Sequence, residues 1–194
     1  RRLWRVEDVA GGVLTAAPID DFSAPRQRFL VELENPTPGT LEDPALETLF
    51  MPFADGLLDW PARRTLFLRA RIGASIDCKS ALTRLPPPDL VCVQSFRPHA
   101  AMLERADLAV LLQAPAETFP LVLVLPPRQR DEARALLVEA VEHAAPDGIV
   151  VASMLNAEGA RSAEDDLALI AGSVESLAKR KCRVFWAKAK GGDR

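Results

Sequence analysis

Leu121-Val122-Leu123-Val124-Leu125-Pro126-Pro127-Arg128 is the stretch on which the reading of this chain turns. Five aliphatic residues in a row, with β-branched valines among them, make a strand without a polar face. Such a strand needs cover on both sides, which a parallel sheet wrapped by helices supplies. The double proline ends it, because proline cannot donate to a sheet ladder. Immediately before that stop stands Leu125, whose side chain cannot accept a hydrogen bond, and just after it stands Arg128.

The same apolar character recurs on either side. Thr65 to Ala70, Leu90 to Gln94, Leu108 to Leu112 and Ile149 to Met154 each read as a strand. Between them lie helical segments. Asp43-Pro44 predicts an N-cap followed by proline at the first helical position, where no amide hydrogen is needed. Leu46, Leu49, Phe50 and Phe53 then share one face, until Pro52 bends or ends the helix. Pro98 to Arg105 reads as a helix, and so does Arg130 to Ala144, whose apolar residues recur at three and four and which Pro146-Asp147-Gly148 stops. Ser162-Ala163-Glu164-Asp165 resembles a capping box opening a helix through Ile170, with Gly172 suited to its C-terminal turn. Two final runs, Val174 to Leu177 and Cys182 to Ala187, flank Lys179-Arg180-Lys181 and predict a closing hairpin. Strands alternating with helices imply a parallel sheet with right-handed crossovers. The expected architecture is therefore α/β and Rossmann-like, mostly parallel with helices on both faces, plus a C-terminal antiparallel hairpin.

Residues 1–40 have a different texture. Gly12 to Ile19 and Arg28 to Glu34 read as short strands, and Asn35-Pro36-Thr37-Pro38-Gly39-Thr40 as a linker. The expected division is an extension over 1–40 and a Rossmann-like domain over 41–190.

Composition narrows the chemistry. At 194 residues, 48% hydrophobic with a net charge of −3, the chain has the make-up of a globular protein and carries no global nucleic-acid signature. The tail is the exception: Lys179, Arg180, Lys181, Arg183, Lys188, Lys190 and Arg194 face only Asp193. Cys78, Cys92 and Cys182 have no metal-binding or redox spacing and read as buried thiols in a reducing compartment. With His99 and His143 as its only histidines, the chain has little material for a metal site or a Ser-His-Asp triad. Both histidines are read as structural. No apolar run reaches the ~20 residues that span a bilayer, and no signal peptide opens the chain, so no membrane is expected and the cytoplasm is the default location.

Taken in order, these segments resemble the N-terminal domain of the two-domain ribosomal RNA guanine-N2 methyltransferases, class I S-adenosylmethionine-dependent enzymes of the "methyltransferase small domain" type. The resemblance rests on Asp43 to Phe50, Leu121 to Pro127, Asn156 to Glu164 and Lys181 to Trp186, and covers residues 42–188. It implies that the domain is a degenerate, non-catalytic copy, a pseudoenzyme half. A C-terminal catalytic domain of the parent would bind S-adenosylmethionine and methylate a guanine amine, and this chain ends where that half would begin, as a fragment or as a protein without it.

The residues that the resemblance singles out depart from a working enzyme. Leu125-Pro126-Pro127-Arg128 stands where active relatives carry Asn or Asp, two prolines and an aromatic ring. Leu125 removes the oxygen that would hold the target amine, and Arg128 removes the ring. The cofactor loop, Arg69-Ala70-Arg71-Ile72-Gly73, has one glycine where close backbone approach needs more. Gln94 stands where a carboxylate would meet the ribose, and its amide is expected to be satisfied by solvent. Ala70, Gly73 and Gln94 thus mark a vestigial pocket, with no cofactor and no metal expected in this chain. Arg161, Lys179, Arg180, Lys181 and Arg183 are candidates for contact with ribosomal RNA. Phe185 and Trp186 follow that cluster and could stack on bases, although their alternation on a strand places at least one in the core. The expected role is support of the catalytic half and RNA binding. Two other readings stay open: an active methyltransferase or nucleotide-binding enzyme with a divergent cofactor loop, and an interaction module docking through residues 1–40.

Overall fold

The computed structural model describes residues 4–10, 13–18, 27–30, 43–61, 63–72 and 89–189. It divides into two compact units, Arg1–Leu41 and Glu42–Arg194. In the first unit β1 (Trp4–Ala10), β2 (Val13–Pro18) and β3 (Gln27–Leu30) form an antiparallel sheet in the order β1-β2-β3. A bulge between Val6 and Asp8 interrupts the first pair. The strands expected within 12–19 and 28–34 correspond to β2 and β3; β1 had not been anticipated, and residues 31–34 and the linker lie outside the described residues.

The second unit opens with α1 (Pro44–Leu49) and α2 (Met51–Ala54). Asp43 Oδ1 accepts the Leu46 amide at 3.1 Å, so the predicted N-cap forms, and Pro52 confines the helices to two short pieces. The chain continues through β4 (Thr65–Leu68), β5 (Leu90–Val93), α3 (Arg97–Arg105), β6 (Ala109–Leu111), β7 (Phe119–Val124), α4 (Arg130–Glu142) and β8 (Ala144–Leu155). A 3₁₀ turn at Asn156–Glu158 leads to α5 (Ala160–Ala171), β9 (Val174–Lys179) and β10 (Cys182–Lys188).

These strands form one seven-stranded sheet in the order β6-β5-β4-β7-β8-β10-β9. The pairs from β6 to β8 are parallel, and β10 runs antiparallel to both β8 and β9. This is the expected α/β class, hairpin included.

Alternation along the strands feeds two separate cores. Leu66, Leu68, Val122, Val124, Val150 and Ala152 pack with residues of α4 and α5, among them Leu137, Ala140 and Leu167. Phe67, Leu121, Leu123, Leu125, Val151 and Trp186 pack with Leu46, Leu49 and Phe53. Each fully buried aliphatic side chain contributes about 1.5–3 kcal/mol relative to exposure. That apolar demand on both faces makes the strand interiors uniformly hydrophobic.

Two local expectations are corrected. Pro146-Asp147-Gly148 does not end a helix; α4 stops at Glu142 and the tripeptide lies inside β8. There the register against β7 shifts between Phe119 and Leu121, and Asp147 takes φ 63°. A Cβ on Gly148 would come within 2.8 Å of the Ala145 carbonyl oxygen and 3.0 Å of that of Phe119, so only glycine lets the strand cross here. Nor does Ser162 cap α5. The N-cap is Gly159 at φ 102°, a backbone state that favours glycine, and Ser162 lies within the first turn. Gly172, at φ 98°, closes the helix as anticipated.

Candidate functional site

In open α/β sheets ligands sit beyond the carboxyl ends of the parallel strands, at the point where strand order reverses. Here that point lies between β4 and β7, with β5 next in line. The residues singled out in the sequence at 69–72, 94 and 125–128 belong to the segments leaving these three strands.

Leu125 is buried, its side chain part of the core beneath α1 and α2. Its amide donates to the Leu68 carbonyl at 3.4 Å. Its own carbonyl oxygen accepts from Arg69 Nη1 at 3.3 Å, across the reversal point. Pro126 and Pro127 are buried and Arg128 is exposed. Arg69 adopts φ 51°, a left-handed conformation that costs a non-glycine residue of order 1 kcal/mol. Burial lowers the pKa of its guanidinium, and Arg71 adds to that effect; Glu132 and Glu158 oppose it. In the sequence this loop is marked by its single glycine, with no role for Arg69. A left-handed arginine leaves no mark in a hydropathy pattern.

Gln94 requires a correction. Its amide is not turned to solvent: the residue is 4% exposed, and both ends of the amide are used internally. Gln94 Nε2 donates to the Ala70 carbonyl at 2.7 Å, and Oε1 accepts the Phe96 amide at 2.9 Å. The buried Ala70 also donates its amide to the Val93 carbonyl at 3.1 Å. Arg71 lies 3.3 Å from the Asp43 carboxylate, tying the loop to the start of α1. Gly73 lies outside the described residues. At the head of α3, His99 packs edge-on to the Phe96 ring, with centroids 5.1 Å apart. Burial, then Arg71, lowers its pKa.

The loops after β7 and β8 enclose a second feature, a cavity of about 80 Å³ lined by Arg128, Met154, Glu158, Gly159, Ser162 and Asp166. Asp166 is 3% exposed and stands 3.6 Å from Arg130 Nε and 3.8 Å from Arg134 Nε. Among the described residues no group of three or more His, Cys, Asp and Glu is placed to hold a metal ion, and no helix is long and apolar enough to cross a membrane.

The basic residues expected to meet RNA are largely engaged within the chain. Arg161 pairs with Glu164 and Asp165 along its own helix, at 3.7 and 3.6 Å. Arg180 bonds Glu47 of α1. Arg183 lies 3.0 Å from Glu164 and donates to Ser176 Oγ at 3.2 Å. Lys179 and Lys181 are exposed and have no ion-pair partner among the described residues. Phe185 and Trp186 are both buried, one in each core, so neither can stack on a base. Lys190 and Arg194 lie outside the described residues.

No family model and no curated protein matches this sequence. Solved structures do. A T. thermophilus 16S rRNA N2 G1207 methyltransferase, in complex with AdoMet and guanosine, superposes with a TM-score of 0.63 at 16% identity, covering 79% of this chain and 40% of that one. The chain thus spans 40% of the length of that enzyme. A ribosomal protein L11 methylase from Lactobacillus delbrueckii subsp. bulgaricus gives 0.58 at 12% identity, covering 76% and 79%. The N-methyltransferase NodS from Bradyrhizobium japonicum gives 0.52 at 13%, covering 81% and 98%. Identities this low carry architecture alone, and the architecture is that of the class I methyltransferases.

Proposed function

We propose that this chain is a methyltransferase-fold domain that does not itself transfer methyl groups, and that it serves a two-domain ribosomal RNA guanine-N2 methyltransferase as scaffold and RNA-holding half. The observation that carries the reading is Leu125. Positioning an amine for methyl transfer needs an acceptor at that place, and the side chain there is a core residue. The neighbouring backbone acceptor, the Leu125 carbonyl, is already bonded to Arg69.

The residues present do not fit S-adenosylmethionine. Arg69 projects a cation across the reversal point, where it would repel the cofactor's sulfonium. Gln94 spends its amide on Ala70 and Phe96, leaving no group for a ribose. The chain is accordingly assigned no cofactor. The cofactor belongs to a C-terminal catalytic domain of the parent, which together with ribosomal RNA would be this domain's partner in the cytoplasm. The extension at 1–40 and the domain at 41–190 would be separate structural pieces of that assembly. The likeness in fold to the T. thermophilus 16S rRNA N2 G1207 methyltransferase supports this parentage.

Isothermal calorimetry with S-adenosylmethionine tests the reading. No binding heat is expected from the 194-residue chain; micromolar binding would overturn the closed crevice and with it the inert assignment.

A further inference from the structure

The mouth of the closed crevice has features that neither the fold nor the inert reading requires. Phe96, three residues beyond β5, is 58% exposed, and at the end of the neighbouring β6 Leu111 and Leu112 are 39% and 75% exposed. The Gln94 amide donates to the Leu111 carbonyl at 2.9 Å, so these apolar groups share one edge of the sheet. The patch is flanked by an arginine and an imidazole. Arg97 follows Phe96 and is 76% exposed in its side chain; His99 packs on the Phe96 ring and lies within electrostatic reach of Arg71 and Arg69.

Arg97 and Arg71 both have a carboxylate partner. Arg97 pairs with Glu104 at 2.9 Å on the open surface, and Arg71 with Asp43 at 3.3 Å. An exposed pair such as Arg97–Glu104 contributes only about 0–1 kcal/mol, so a phosphate can replace Glu104 at small loss, whereas at the half-buried Arg71 it would add to Asp43. Arg69 adds a cation whose direct bond is to an uncharged carbonyl. Glu132 and Glu158, which also act on Arg69, belong to α4 and the turn after β8, away from α1 and α3.

A single exposed aromatic among arginines is the arrangement by which proteins hold unpaired nucleotides, the base stacking on the ring and the phosphate meeting the charges. Three apolar side chains are far too few for a stable protein interface, which takes about 800 Å² from each partner. We propose that this mouth holds a nucleotide of single-stranded RNA, its base stacked on Phe96 and its phosphate against Arg71 and Arg97. This rests on the RNA-holding role proposed above and moves the main contact from the β9–β10 hairpin to the ends of β4 and β5.

The test is fluorescence anisotropy of the full chain with a short fluorescein-labelled single-stranded RNA at low salt. Phe96→Ala is expected to weaken binding about tenfold, the loss of one stacked base, while Phe96→Trp retains it. Arg97→Gln should flatten the dependence of log affinity on log salt by about 0.7. Circular dichroism confirms that each variant is folded; Phe96 and Arg97 are surface residues, and the retained binding of Phe96→Trp guards against a structural artefact. If Phe96→Ala binds as tightly as the parent while Lys179→Glu with Lys181→Glu weakens binding, this inference is wrong and the RNA-holding role survives. If the parent chain binds no RNA, both fall.

Discussion

The reversal point between β4 and β7 and the β9–β10 hairpin are both rich in arginine, and they use it in opposite ways. At the hairpin, where the sequence concentrates its positive charge, Arg180 and Arg183 are bound to Glu47 and Glu164 and hold the hairpin to α1 and α5. At the reversal point, Arg69 donates to a backbone carbonyl and has no carboxylate bonded to it directly among the described residues. A run of basic residues therefore says little about a partner until the acids across the fold are counted. An arginine bonded to a carbonyl keeps its full charge.

The largest effect that would break this comparison is expected at Leu125. Leu125→Asn restores the polar atom an amine would need but places it in the core beneath α1, and should cost about 3 kcal/mol in chemical denaturation. A variant as stable as the parent would mean that the crevice is open. Next comes the hairpin. Arg183→Ala removes the nearer of two cations from Glu164, which is only 13% exposed in its side chain and keeps Arg161 at 3.7 Å, and should cost about 1–2 kcal/mol. Lys179→Ala, on the exposed surface, should stay within about 0.5 kcal/mol. Equal losses from the two would show that the arginine is a solvated charge like its neighbour. The smallest effect has the opposite sign. Arg180 and Lys181 turn the hairpin at φ 52° and 61°, the two-residue geometry that favours glycine. Lys181→Gly should raise stability by about 0.5 kcal/mol while removing a charge, measurable as a higher thermal midpoint.

Much of this architecture was legible because the strands are continuous and apolar. Leu121 to Leu125 alone implied a sheet buried on both faces, and Asp43-Pro44 marked a helix start that formed with the expected hydrogen bond. Other features were not. Ser162-Ala163-Glu164-Asp165 has the pattern of a capping box, whereas the turn before α5 uses the left-handed state that Gly159 supplies. Pro146-Asp147-Gly148 carries the marks of a helix stop, and only the close passage against Ala145 and Phe119 reveals a strand. At the crevice the sequence located Gln94 and Leu125 but not what each does. The Arg69 bond to the Leu125 carbonyl joins residues 56 positions apart, and Arg180 meets Glu47 across 133. Pairings of that range leave no local pattern.

The central place of β4 has a kinetic side. Leu66 must pair with Val91 on one flank and, 56 residues on, with Val122 on the other, the longest separation in this sheet, while β9 and β10 pair across a tight turn. Non-local parallel pairing is slow to nucleate, and at about 5–20 residues per second on the ribosome β4 waits several seconds with an open edge. For that interval Thr65–Leu68 has β5 on one flank and an open hydrophobic edge on the other, which exposes it to wrong pairing.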